Sequence, residues 1–389
     1  MPIINRFADF HEEMTKWRRE LHSNPEICYE EVWTSNYISK KLESFGIKTI
    51  RGMGKTGVVG VLEGSKPSNK KIGLRADMDA LPMPEENDFS YKSKTPGKMH
   101  ACGHDGHMTM LLGAAKYLSE PRNFSGTVYF IFSPAEEGGA GAKAMMNDGL
   151  FQKCPVDNVW GMHNMPALEF GEFAVKTGTC MASADHFEIK ISGRGSHAAY
   201  PQGSIDPITA STQLVQGLQM IVSRKINPID SAVVSVTMIN GGTAFNVIPD
   251  SVSVCGTART VLPETRELVM NEIEKISDMI SKAHGCSFKI KWHGGYPPTV
   301  NHANESDKAA SVASDVVGIE KVHRNQPPSM GAEDFAFMLE EKPGAYIWVG
   351  SKKNTNNRML HNSGYDFNDE ILPIGSSYWA RLVETELSS

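Results

Sequence analysis

The chain has no run approaching the roughly 18 apolar residues that a membrane-spanning helix needs. It has no basic excess either: 39 Lys and Arg against 45 Asp and Glu leave a net charge of −6. That balance argues against nucleic acid or an anionic membrane as partner, since both favour a basic face. Its cysteines, Cys28, Cys102, Cys154, Cys180, Cys255 and Cys286, have no framework spacing, so free thiols in a reducing compartment are expected. Met1-Pro2-Ile3-Ile4-Asn5-Arg6 lacks the basic-then-apolar pattern of a signal peptide. Together these absences point to a cytoplasmic protein without membrane association. Gly52-Met53-Gly54-Lys55-Thr56 also lacks the Gly-x₄-Gly-Lys spacing of a phosphate loop.

What is present is a globular composition, 40% hydrophobic and 22% charged, over 389 residues, a length that suggests two domains. Phe7, Phe10, Met14, Trp17 and Leu21 recur at steps of three and four, one helical face, until Asn24-Pro25. A second helix is expected to about Phe45, capped by Gly46. Short apolar strands then alternate with helices. They include Ile72-Gly73-Leu74-Arg75, Thr127 to Phe132 and Asn158 to Met162, with a helix after His104. This alternation predicts an α/β fold with a largely parallel sheet.

From Ala182 to Tyr296 the pattern changes. His186 to Ile191 alternates like a half-exposed strand, Asp206-Pro207 opens a helix, two strands follow, a second helix starts at Pro263, and a last strand spans Phe288 to Trp292. The order β-α-β-β-α-β is ferredoxin-like. The expected organisation is a catalytic domain of residues 1–181 and 297–389 interrupted by an inserted domain of residues 182–296.

Five side chains stand out as metal ligands: Cys102, His104, Glu137, His163 and His361. Thiolate, imidazole and carboxylate suit borderline divalent ions. Five are too many for one open catalytic ion, but they suit two ions sharing a bridging group and holding a hydroxide between them. Adjacent Glu136 and Glu137 repel each other unless one faces a cation, which leaves the other as general base; spacing does not say which does which. Asp79 is a candidate to accept the second N–H of His104 and fix its tautomer. His100 and His107 flank the ligands and are read as hydrogen-bonding neighbours, whereas His11, His22, His284, His302 and His323 are read as surface residues. In the inserted domain, Gly-rich turns around His197 and Asn246, and Arg259 on Gly256-Thr257-Ala258-Arg259-Thr260, could serve an oxyanion and a carboxylate.

Arg75-Ala76-Asp77-Met78-Asp79-Ala80-Leu81-Pro82, His100-Ala101-Cys102-Gly103-His104-Asp105, Pro134-Ala135-Glu136-Glu137-Gly138, Gly161-Met162-His163 and Leu360-His361-Asn362 carry a resemblance over nearly the whole chain. It resembles the amidohydrolase branch of the dinuclear aminoacylase/carboxypeptidase metallopeptidases, of the hippurate hydrolase and indole-acetyl-amino-acid hydrolase type. The resemblance implies a two-domain zinc-peptidase-like fold, a catalytic mixed α/β sheet with the inserted unit as dimerisation and lid domain. It implies two divalent metal ions per subunit (zinc, manganese, cobalt or nickel) on Cys102, His104, Glu137, His163 and His361, with Cys102 bridging and Glu136 as general base. His197 would complete a neighbour's site in a homodimer or higher homo-oligomer, while Asn246 and Arg259 contact substrate. The implied activity is hydrolysis of small N-acyl amino acids to a carboxylic acid and a free amino acid. Alternatives are a dipeptidase or carboxypeptidase on the same scaffold, a cysteine hydrolase using Cys102 and His104, and a metal-binding protein without catalysis.

Overall fold

The computed structural model describes residues 4–388. The chain divides into two compact units, described separately. The first takes in the chain up to Cys180, Val300–Pro327 and the segment from Asp334 on; the second comprises Met181–Thr299 and Pro328–Glu333.

In the first unit the apolar runs form an eight-stranded mixed sheet. Its order is Lys48–Met53, Gly57–Glu63, Ser125–Ser133, Lys66–Asp77, Asn158–Met165, Gly344–Gly350, Phe173–Ala174, Val322–His323. The four strands from Ser125–Ser133 to Gly344–Gly350 run parallel, and the antiparallel hairpin Lys48–Met53/Gly57–Glu63 closes one edge. Gly344–Gly350 is buried along its full length. Parallel strands covered on both faces have no solvent side, so they appear in sequence as continuous apolar runs. The helix Asn5–Ser23 buries Phe7, Phe10, Met14, Trp17 and Leu21, the face its periodicity predicts. They share a core with Leu111 and Leu112 of helix His104–Ser119 and with Tyr378 and Trp379 of helix Leu372–Glu386. No helix among the described residues is long and apolar enough to cross a membrane.

One reading needs correction here. His22 is not at the surface but fully buried. Its Nδ1 lies 2.8 Å from Asp105 Oδ2 and its Nε2 3.1 Å from Glu85 Oε1. Burial alone would lower its pKa, but the bonds to Asp105 and Glu85 raise it to about 9. A group raised above its unfolded value of about 6.5 contributes stability in full below that pH and loses it as pH rises through about 9. At 1.36 kcal/mol per unit this is of the order of 3 kcal/mol. Denaturant unfolding at about pH 6.5 and about pH 10 should therefore show a loss larger by that order in the wild type than in His22→Gln. Equal losses would mean that the buried imidazole is uncharged.

In the second unit, helices Pro207–Arg224 and Pro263–Ala283 alternate with four antiparallel strands ordered Ala232–Asn240, Ser251–Thr260, Ala184–Ser192, Ser287–Tyr296. Asp206 caps the first helix, accepting the N–H of Ile208 at 2.8 Å. Leu214, Leu218, Ile221, Val269 and Ile273 bury one sheet face with Ile189, Ile191, Val252 and Val254. Period-two alternation then sends Ser253, Cys255, Thr257 and Arg259 to the opposite face. The segment Pro328–Glu333, assigned from sequence to the flanking domain, clusters with this unit because Ser329 O accepts the N–H of Ala182 at 2.9 Å.

Candidate metal centre

Each ligand candidate lies at or beyond the carboxyl end of a parallel strand or in a loop leading from one, where open α/β sheets place their sites. Strand Lys66–Asp77 runs on to Asp79, Ser125–Ser133 delivers Pro134-Ala135-Glu136-Glu137, and Asn158–Met165 carries His163. Cys102 and Gly103 precede helix His104–Ser119. Gly103 has φ 95°, and a Cβ there would stand 2.1 Å from Asn164 Oδ1, so only glycine fits the turn. His361 adopts φ 59° in the loop after Gly344–Gly350, its N–H donating to Ala101 O at 2.8 Å.

This folding brings all five predicted ligands together. The ligand atoms of Cys102, His104 and His163 lie within 4.8 Å of one another, as do those of Cys102, Glu137 and His361. Cys102 therefore belongs to two three-donor sets. Its Sγ is 3.4 Å from His163 Nε2, and Glu137 Oε1 is 3.3 Å from His361 Nε2 and 4.0 Å from His104 Nε2. Glu136 joins His104 and Glu137 in a third close group.

The donor chemistry fits divalent cations. His104 Nε2 and Glu137 Oε1 are buried without a hydrogen-bond partner, an arrangement that is costly unless a cation fills it. His104 Nδ1 lies 2.8 Å from Asp79 O and His163 Nδ1 2.7 Å from Asn164 O. Each ring thus donates from Nδ1 and directs the Nε2 lone pair inward.

The electrostatics of the donor cluster agree. Burial, then Glu137, Glu136 and Asp77, hold the Cys102 thiol well above its ordinary range. Burial would lower His104, but Asp77, Asp79 and Glu137 push it up to about 10. Burial and neighbouring His107 hold His163 well below the usual imidazole value. The Cys102 thiol and the His104 imidazole hold their protons among these carboxylates, the condition that bound dications reverse by drawing out thiolate and neutral imidazole.

Asp79 adjoins His104, but the bond to Nδ1 comes from its main-chain oxygen; its carboxylate Oδ1 is 3.5 Å away. The carboxylate instead accepts the N–H of Glu136 and of Glu137, both at 2.9 Å. Buried Glu31 accepts the preceding N–H, of Ala135, at 2.8 Å. Three consecutive amides of the Glu-Glu turn are thus held by two carboxylates, with Ala135 at φ 53°. Cys28, expected as a free thiol, donates toward Asp79 Oδ2 at 3.3 Å and Glu137 O at 3.2 Å. His107 is engaged at both nitrogens, by Asp77 at 2.7 Å and Asn164 at 2.8 Å, while His100 is buried with no bonded partner at either. Glu31 and Asn164 carry no sequence signal as supporting residues, whereas Asp77, two residues before Asp79 at a strand end, shares the signal of that carboxylate pair.

In the second unit, His197 and Asn246 line one cavity of about 540 Å³, with Gly195, Gly242, Thr243 and Asp250. Ala199 N–H donates to His197 Nδ1 at 3.1 Å, so the neutral ring carries its proton on Nε2. Ala198 N–H donates to Asn246 O at 3.0 Å, tying the two turns. Arg259 lies on strand Ser251–Thr260 opposite Val233, outside that lining. Half-burial lowers its pKa from the ordinary value while Asp185 opposes the shift. Asp185 itself is gripped by Arg266 at 2.7 and 2.9 Å.

A family model described as Peptidase family M20/M25/M40 matches residues 73–385. Hippurate hydrolase of Campylobacter jejuni is 45% identical over 383 residues, 98% of this chain and 99% of that protein. N-acetylcysteine deacetylase of Bacillus subtilis is 40% identical over 376 residues, 96% of this chain and 97% of that protein. Among solved structures, the Bacillus subtilis YXEP protein, described as a dinuclear metal binding peptidase, has a TM-score of 0.85 at 35% identity, covering 98% of this chain and 99% of that one. Matched along most of its length, this chain belongs to peptidase family M20/M25/M40.

Proposed function

We propose that the protein is a metal-dependent amidohydrolase that cleaves N-acyl amino acids to a carboxylic acid and a free amino acid. The observation that carries this is the pair of three-donor sets meeting at Cys102 beside Glu136. Relatives whose names specify hippurate or N-acetylcysteine as substrate support the substrate class. Two divalent ions, when bound, polarise the scissile carbonyl and acidify water. Cys102, His104 and His163 form one holding set, and Cys102, Glu137 and His361 the other. The mixed thiolate, imidazole and carboxylate shell suits zinc, manganese, cobalt or nickel.

The chain's own groups perform the proton chemistry. Glu136 takes a proton from the attacking water and returns it to the leaving amine. His197, with its proton on Nε2, donates to the developing oxyanion, joined by Asn246. Arg259, partly desolvated, grips the substrate carboxylate. The protein acts as a homodimer or higher homo-oligomer through the inserted unit, His197 serving the neighbouring copy's site. Edge strand Ala232–Asn240 supports this reading, exposing Val233, Met238 and Ile239 beside Ile229, an apolar edge that otherwise invites strand addition. Free cysteines throughout favour a cytoplasmic location.

The test is release of free amino acid from N-benzoylglycine and a panel of N-acetyl amino acids before and after EDTA. Release that stops on chelation and returns with Mn²⁺, Co²⁺ or Zn²⁺ is expected. Inactivity on the panel with turnover of free dipeptides would move the assignment to a dipeptidase.

A further inference from the structure

We infer that Asn164 is the positioning residue that sets the spacing between the ligand-bearing segments. Its side chain is fully buried and touches three of them. Nδ2 donates to Tyr365 Oη at 2.8 Å and Ser351 Oγ at 3.1 Å, at the two ends of the loop that carries His361. Oδ1 faces His107 Nε2 at 2.8 Å, one turn along the helix that begins with His104. The same oxygen lies against Gly103, where a Cβ would come within 2.1 Å, between Cys102 and His104. The main chain completes the set, with Asn164 N 3.1 Å from the same His107 Nε2 and Asn164 O accepting from His163 Nδ1 at 2.7 Å. One residue therefore ties the segments that bear Cys102, His104, His163 and His361. Glu137 is placed separately, through Asp79.

An amide suits this role. Two donors toward Tyr365 and Ser351 and one acceptor toward His107 are used at once, whereas a carboxylate of the same shape keeps the first two contacts only if both hydroxyls turn round to donate. Asn164→Asp keeps the volume and loses both donors. It also adds a negative charge near the cation site, which by itself would strengthen metal binding. Weaker binding thus reports lost positioning and cannot be a charge effect.

The test is chelator competition on the full-length protein loaded with Co²⁺, together with its visible spectrum and the Tm of the metal-free form. In Asn164→Asp, affinity should fall about 10- to 100-fold, and the ligand-field and thiolate-to-cobalt bands should shift. Tyr365→Phe, a milder change, should move both in the same direction by less. A fall in metal-free Tm with the cobalt spectrum and affinity unchanged in both variants would overturn the proposal, leaving Asn164 a packing residue only. The inference rests on the metal-centre reading. If the wild type binds no ion, that reading fails; if it binds two and Asn164→Asp binds them equally well, only the present proposal fails.

Discussion

Glu136→Gln should leave metal content unchanged and lower turnover of N-acyl amino acids by about 10²- to 10⁴-fold. The glutamine keeps the shape and the hydrogen-bonding main chain, whose N–H is held by Asp79 at 2.9 Å, but it cannot take a proton. Glu136 belongs to neither of the two three-donor sets that meet at Cys102, so its neutralisation removes base chemistry without removing a ligand. Metal analysis on the protein used for kinetics decides the matter. If Glu136→Gln loses an ion while Glu137→Gln retains both, the base and ligand roles of the two glutamates are exchanged.

The second large effect concerns Cys102, whose Sγ belongs to both donor sets. Cys102→Ala should abolish retention of both ions through gel filtration and with it all turnover. His163→Ala and His361→Ala should each reduce the content from two ions to one, because each histidine serves one set. Two ions retained by Cys102→Ala, with circular dichroism showing a folded chain, would sink the shared-cysteine arrangement.

Both experiments concern residues that could be picked out before any coordinates. Thr127 to Phe132 and Asn158 to Met162 are apolar runs bounded by turns, and burial on both faces of a parallel sheet writes that pattern directly into sequence. Glu136, Glu137 and His163 stand where those runs end. Cys102 and His104 share a glycine turn whose positive φ leaves no room for a side chain.

The misreadings have a common origin. His22 looked like a surface histidine because a lone polar residue carries no periodic signal; its partner Asp105 is 83 positions away. The sequence suggests Asp79 as the acceptor for His104, yet which of its oxygens faces the ring depends on where the Glu136-Glu137 turn docks. Pro328–Glu333 joins the second unit through Ser329 and Ala182, a pairing no local propensity encodes.

By itself, then, the sequence determined the alternation of helices and strands, the change of pattern at Ala182, and the donor types available to a metal. These follow from burial periodicity and side-chain chemistry, which are local properties. Tertiary structure alone decided that Glu31 and Asp79 hold the amides of the Glu136-Glu137 turn, and that Asn164 reaches Tyr365, 201 residues away. The physical reason is range: a hydrogen bond is effective only within about 3 Å, and which distant groups come that close is set by the packing of the whole sheet.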